Sequence, residues 1–410
     1  MKIIEELLKG EKVEWKPLGE VFETRNGYTP LKANKEFWEK GTIPWFRMED
    51  IRMNGGVLKD AIQHITPKAI KGKGLFEAGT IIMATTATIG EHALLIADSL
   101  ANQQFTNFKV RKSLENKLLP KFVYYYFFII DEWCKQNVNV SSFPSVDMER
   151  LKKQSFPLPP LSVQQRIVEI LDKFTELETE LETELDCRKR QYEYYRNKLL
   201  SYEEMTKKGH KVMMKTLGEV GTFTRGNGLQ KKDFTESGVP AIHYGQVYTY
   251  YGVSATQTKS YVSVETAKHL RKVNNGDVVI TNTSENVGDV CKSMLYLGSQ
   301  QAVTGGHATI FTPSKQLSAK FFIYYTQTEA FAKQKRKFAK GTKVIDVSAT
   351  DLAKIKIPLP PLSEQQRIVD ILDKFDTLTT SISEGLPKEI ELRRKQYEYY
   401  RNELLSFAVP

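Results

Sequence analysis

The chain has 410 residues, more than one hydrophobic core usually organises, and 40% hydrophobic and 11% aromatic side chains, which argues for several folded domains and against disorder. Its net charge is +10, its three cysteines (Cys134, Cys187, Cys291) are scattered, and its longest apolar run, "FVYYYFFII" at 122–130, is about half a membrane span. These features exclude a disulfide framework and a spanning helix. With no apolar signal-peptide core in "MKIIEELLKGEK", a reducing, cytoplasmic setting is expected, and the positive charge suits a polyanionic partner, nucleic acid first.

In chain order, residues 1–156 read as an α+β domain, with β-rich runs such as "GTIIMATT" (79–86) between turn signals and one late helix. Its loop residues able to read base edges are Arg25, Asn26, Tyr28 and Arg47. Asp98 with Glu115, Asn116 and Lys117 superficially matches a metal-dependent nuclease pattern, but acids this scattered arise by chance and the second half has no counterpart.

Residues 157–206 read as a helical spacer. After "PLPP", Ser162 and Gln165 have capping-box spacing, and Ile167, Ile170, Leu171, Phe174, Leu177, Leu181 and Leu185 form one helical stripe that Tyr192, Tyr195 and Leu199 continue. Unbroken over 162–200, this is a strut on the order of 55–60 Å long. Within it, "TELETELETELD" (175–186) writes a four-residue unit three times, with six acids and no Lys or Arg. A period of four drifts only about 40° per unit, so Leu177, Leu181 and Leu185 share one face. The acidic run repels phosphate and is expected to separate DNA contacts rather than make them.

Residues 207–357 and 358–410 then write the domain and the strut again. "PLPPLSVQQRIVEILDKF" (157–174) returns as "PLPPLSEQQRIVDILDKF" (358–375), and "QYEYYRNKLLS" (191–201) as "QYEYYRNELLS" (396–406). The domains echo each other faintly: "KPLGEV" with "KTLGEV", Arg25 with Arg225, "QQ" at 103–104 with "QQ" at 300–301, and "PKFVYYYF" with "AKFFIYYT". The second domain's base-reading candidates are Arg225, Asn227, His243, Tyr244, Gln246, Asn282 and His307. Its closing run "FAKQKRKFAKGTK" (331–343) offers Lys335, Arg336, Lys337, Lys340 and Lys343 to phosphates. The second strut should kink or break at "EGLPKE", where Gly385 and Pro387 stand. One apolar stripe needs one partner helix. The fold expected is therefore α+β: two pseudo-twofold-related domains separated by a coiled-coil-like pair of long antiparallel helices, with Ser406 returning near the start of the first domain.

Catalytic signatures are missing. There is no Walker loop, "RGNGLQ" lacks the third glycine of a dinucleotide fold, the histidines never fall at metal-ligand spacing, and the "LPPL" runs are not the tetrapeptide of an adenine methyltransferase. A nuclease or methyltransferase in its own right, and a helical scaffold that binds no DNA, are the alternatives. The repeated "PLPPLS" and "QYEYYRN" segments, the half-length repeat and the tetrads between them resemble the specificity (S) subunit of type I restriction-modification enzymes over the whole chain. That resemblance implies two target-recognition domains reading a split, asymmetric DNA site, and two methyltransferase subunits docked on the helices with restriction subunits joined through them. It places S-adenosylmethionine, ATP and Mg in those partners, with no cofactor or metal in this chain. Gln164, Arg166, Tyr194 and Arg196, with their copies Gln365, Arg367, Tyr399 and Arg401, are the expected contacts to the methyltransferase.

Overall fold

The computed structural model describes residues 3–139, 144–207, 209, 211–381 and 383–408. The chain divides into two compact units, one of Met1–Glu180 with Ile390–Pro410 and the other of Leu181–Glu389. Both cuts fall inside helical segments, so each unit holds one α+β domain, the beginning of the strut that follows it and the end of the other strut.

In the first unit a five-stranded sheet runs in the order Phe22–Asn26, Phe105–Val110, Ile81–Ala84, His92–Leu95, Val57–Leu58, antiparallel except for the last pair. All four residues of Ile81–Ala84 are buried, which is why this strand is uniformly apolar instead of alternating. The helix Pro120–Gln136 shares a core with the sheet, where Phe22 meets Phe127 and Phe156 edge-on at 5.5 and 5.1 Å. A three-stranded sheet (His64–Ile65, Ile43–Phe46, Leu100–Ala101) and the ribbon of Glu14–Pro17 with Ser155–Leu158 complete the domain. That ribbon runs through the expected boundary at 156.

The second unit repeats the five-stranded order with Gly221–Arg225, Ala308–Pro313, Val278–Thr281, Ser293–Tyr296 and Ser254–Ala255, and repeats the ribbon with Met213–Thr216 and Lys356–Leu359. Its late helix departs from expectation. Two helices, Ala319–Thr326 and Glu329–Phe338, replace one, because the Thr328 side chain caps a new start by accepting from Phe331 N.

The first strut is one helix, Leu161–Leu199, of 39 residues and about 58 Å at 1.5 Å per residue. The second is two, Leu362–Thr380 and Leu386–Leu405. The break precedes Gly385, where a Cβ would meet Thr377 O at 2.4 Å, and Pro387 is second in the new helix, a position where its missing N–H goes unused. The expected capping boxes do not form. Both helices start one residue before the serine, with Val163 N and Gln164 N donating to Pro160 O, and Gln165 and Gln366 donate instead to Glu169 and Asp370 along the helix.

Each unit uses the twice-written residues in the same way. In the first, Phe174 stacks on Tyr400 at 5.4 Å and Glu178 pairs with Arg394, an antiparallel register. In the second, Phe375 stacks on Tyr195 at 5.7 Å and on Tyr192 at 6.1 Å. Lys121 Nζ and Tyr125 Oη donate to Asp172, and Lys320 Nζ and Tyr324 Oη donate to Asp373. The C-terminal residues Leu404, Leu405 and Phe407 enter the first unit's core together with Ile4, as Leu200 and Met205 enter the second's. Ser406 thus lies beside residues that share a core with the beginning of the chain.

Candidate nucleic-acid interface

In the second unit, chain segments far apart in sequence bring several expected readers together. Arg225 ends its strand, where its Nε donates to Gly306 O (3.3 Å) and its Nη2 lies 3.7 Å from Asp346. Next to Gly306, exposed His307 has Nδ1 3.0 Å from Thr283 Oγ1 and its ring 4.8 Å from Tyr244. Tyr244 in turn lies 4.6 Å from His243, whose Nδ1 accepts from Gly245 N at the start of the helix Tyr244–Thr249. Burial, with Lys231 and His307 nearby, lowers the pKa of His243, which favours the neutral ring that this cap requires. Asn227 is exposed and donates to His269 O. Lys340 bridges to Asp346 through its backbone and to Asp351 through Nζ, while Arg336, Lys337 and Lys343 are exposed.

Three candidates here have structural roles instead. Asn282 is fully buried, donating to Val347 O (2.8 Å) and accepting from Thr309 Oγ1 (2.7 Å), so no base can reach it. Lys335 is 7% exposed, and its Nζ donates to Gly288 O and Val290 O instead of to a phosphate. The Gln246 amide is engaged by Ser260 Oγ and His243 N.

The first unit arranges its candidates differently. Arg47 precedes the helix Met48–Asn54 as His243 precedes its own, and its Nη2 pairs with Glu49 at 2.8 Å. Tyr28 Oη is engaged by Ala69 O and Lys71 N. Arg25 Nη2 donates to Leu75 O, and its guanidinium lies 4.6 Å over Phe76, away from Asn26. The expected match of Arg25 with Arg225 is therefore one residue out of register. Arg25 pairs with Asn107 and Thr224 with Ile310, whereas Asn26 and Arg225 sit at the next rung, and a one-residue shift turns a side chain to the other face. The "QQ" echo also fails: Gln103 and Gln104 follow Leu100–Ala101, whereas Gln300 and Gln301 precede Ala302–Thr304. Thr29, bonded to Gln103 (2.5 Å), and Asn102, bonded to Gln104 (3.2 Å), are loop polar groups the sequence reading missed.

On the struts, Gln164 and Gln365 are buried. Gln164 accepts from Leu119 N and donates to Lys117 O and Pro159 O; Gln365 accepts from Ser318 N and donates to Gln316 O and Pro360 O. Both lock a strut to its domain and are not docking contacts. Arg196, 5.1 Å over Tyr192, and Arg401, 4.3 Å over Phe128, are half-buried packing groups. Tyr194 and Tyr399 are 58% and 59% exposed, Arg166 is exposed beside Glu169, and Arg367 holds the buried carboxylate of Glu364. Among the described residues no group of three His, Cys, Asp or Glu could hold a metal ion, and no helix is long and apolar enough to cross a membrane.

The family model for the type I restriction modification DNA specificity domain matches residues 10–186 and 210–392, one copy per domain and strut. The chain belongs to this family: it is a specificity subunit, the non-catalytic DNA-recognition member of a type I restriction-modification system. It is 36% identical over 395 residues to the EcoprrI specificity subunit of Escherichia coli, covering 94% of this chain and 92% of that one. It is 33% identical over 432 residues to the EcoR124I/EcoR124II specificity subunit of the same species, covering 100% and 98%. Among solved structures, a chain from work on complex assembly and conformational transition of the type I R-M system aligns with TM-score 0.63 and 18% identity over 96% and 98% of the two chains. The HsdS subunit from Thermoanaerobacter tengcongensis aligns with TM-score 0.54 and 17% identity over 97% of each. At these identities the likeness concerns the fold.

Proposed function

We propose that each α+β domain reads one part of a split, asymmetric DNA target in the cytoplasm, and that the struts dock two methyltransferase subunits and, through them, restriction subunits. S-adenosylmethionine, ATP and Mg then act in those partners. One observation carries this reading: near-identical strut residues make the same packing in both units, Phe174 on Tyr400 and Phe375 on Tyr195, while the domains beside them have diverged. Identical surfaces suit two copies of one partner, and different loops suit different half-sequences. The exposed Tyr194, Tyr399 and Arg166 are the docking candidates that remain outside the core.

Co-purification with the methyltransferase, followed by duplex binding at rising salt, tests both halves of the proposal. Arg166→Glu with Tyr194→Ala and Tyr399→Ala should weaken assembly and spare DNA binding. Arg367→Glu is the poorer probe because it sets a second acid beside the buried carboxylate of Glu364. DNA affinity should fall steeply with salt as phosphate contacts are lost. Salt-independent binding would remove the DNA reading, and unchanged assembly would remove these docking residues.

A further inference from the structure

Strand register defines one position shared by the two domains. Gly27 N donates to Phe105 O and Gly226 N to Ala308 O, both at 2.9 Å, and the residues just before them pair Asn26 with Thr106 and Arg225 with Thr309. Thr106 and Thr309 in turn pair with Met83 and Ile280, equivalent rungs of the next strand. Asn26 and Arg225 are thus the same final strand residue before the chain leaves the sheet, and both are exposed.

An exposed polar side chain at a strand end is ordinarily just solvated, but these two are held in place. In the first domain the Thr106 hydroxyl, 2.8 Å from that of Thr85, donates to Asn26 Oδ1 at 2.9 Å. This sets which way the amide faces. It leaves one lone pair on Oδ1 and, among the described residues, an Nδ2 with no protein partner. In the second domain the Thr309 hydroxyl goes to Asn282 instead, and Arg225 is held through Nε to Gly306 O, with Nη2 3.7 Å from Asp346 and beyond hydrogen-bond distance, so that neither Nη1 nor Nη2 has a hydrogen-bond partner among the described residues. One domain therefore presents an oriented amide where the other presents an oriented guanidinium. An amide matches the N6/N7 edge of adenine, and a guanidinium fork matches O6/N7 of guanine.

We infer that Asn26 and Arg225 are specificity-determining residues at one shared reading position, with adenine read there in the first half-target and guanine in the second. The inference rests on the DNA-reading function above.

Sequencing methylated sites in cells that carry the whole system with a variant chain tests it. R225N should exchange one guanine of the second half-sequence for adenine, and N26R one adenine of the first for guanine, each leaving the other half untouched. Discrimination at that base should change by roughly 5- to 150-fold, the range of one bidentate contact. R225N that keeps the original second half at full discrimination overturns the inference while the DNA-reading function stands. Absence of sequence-specific methylation by the unaltered system overturns both. If R225N loses the entire second half through misfolding, R225K decides, because it keeps the charge without the fork: relaxed discrimination at one position supports the inference, and unchanged discrimination overturns it.

Discussion

Deleting residues 179–182 removes one tetrad from the first strut and should shorten the unread gap in the DNA target by one base pair. In an α-helix four residues span about 6 Å and turn about 40° beyond a full revolution, so Leu177 is again followed four residues later by a leucine, the present Leu185. The half-buried stripe of Leu177, Leu181 and Leu185 is therefore shortened without being broken. The division between the compact units falls at Glu180 and Leu181, inside the deleted tetrad, so Phe174 on Tyr400 and Phe375 on Tyr192 remain within their own units. The second strut's two helices end at Thr380 and begin again at Leu386, and that break gives it slack to follow. Along B-DNA about 6 Å lies between one and two base pairs of about 3.4 Å, while one pair turns the groove by roughly 34°, so the rotation favours one. Sequencing of methylated sites from cells carrying the deletion measures the gap directly. An unchanged gap, or a change in either half-sequence, would refute the spacing role.

Gln164→Ala and Gln365→Ala each remove three hydrogen bonds that a fully buried side-chain amide makes to the backbone, so each should lower stability by about 1–3 kcal/mol, seen as an earlier urea transition; normal stability with lost assembly would return these residues to the docking surface. Arg336→Glu with Lys337→Glu should weaken binding to all duplexes alike and make the slope of log affinity against log salt shallower by about 2, whereas loss confined to the cognate sequence would make them base readers. Cys187 is exposed and should alkylate at neutral pH. Cys134 and Cys291, buried with thiols pushed up to about 12, should react only on unfolding, and mass spectrometry distinguishes the three.

The struts were legible because a 3.6-residue stripe written twice leaves few alternatives, and the break in the second was marked by Gly385. The individual readers were less so. Asn282 looks like any loop asparagine after an apolar run, and its burial depends on Val347, 65 residues away. Lys335 follows Phe331 by one helical turn, a spacing that already placed it on the buried face of a basic helix. The look-alike tripeptides around Arg25 and Arg225 concealed the true register. Counting from Leu18 in "KPLGEV" and from Leu217 in "KTLGEV" reaches Asn26 and Arg225 after the same number of residues, and that count would have found the pair. In sequence the near-identity around Gln164 and Gln365 points to a shared partner, whereas in the structure it preserves a shared lock between strut and domain.

The division of labour proposed above has two independent domains read two separate half-sequences. It is tested most directly by replacing residues 211–357 with the corresponding domain of a relative and mapping the methylated sites of the assembled system. The first half-sequence and the gap should stay unchanged while the second half-sequence becomes new. A change in both halves, or a single continuous target, would contradict it.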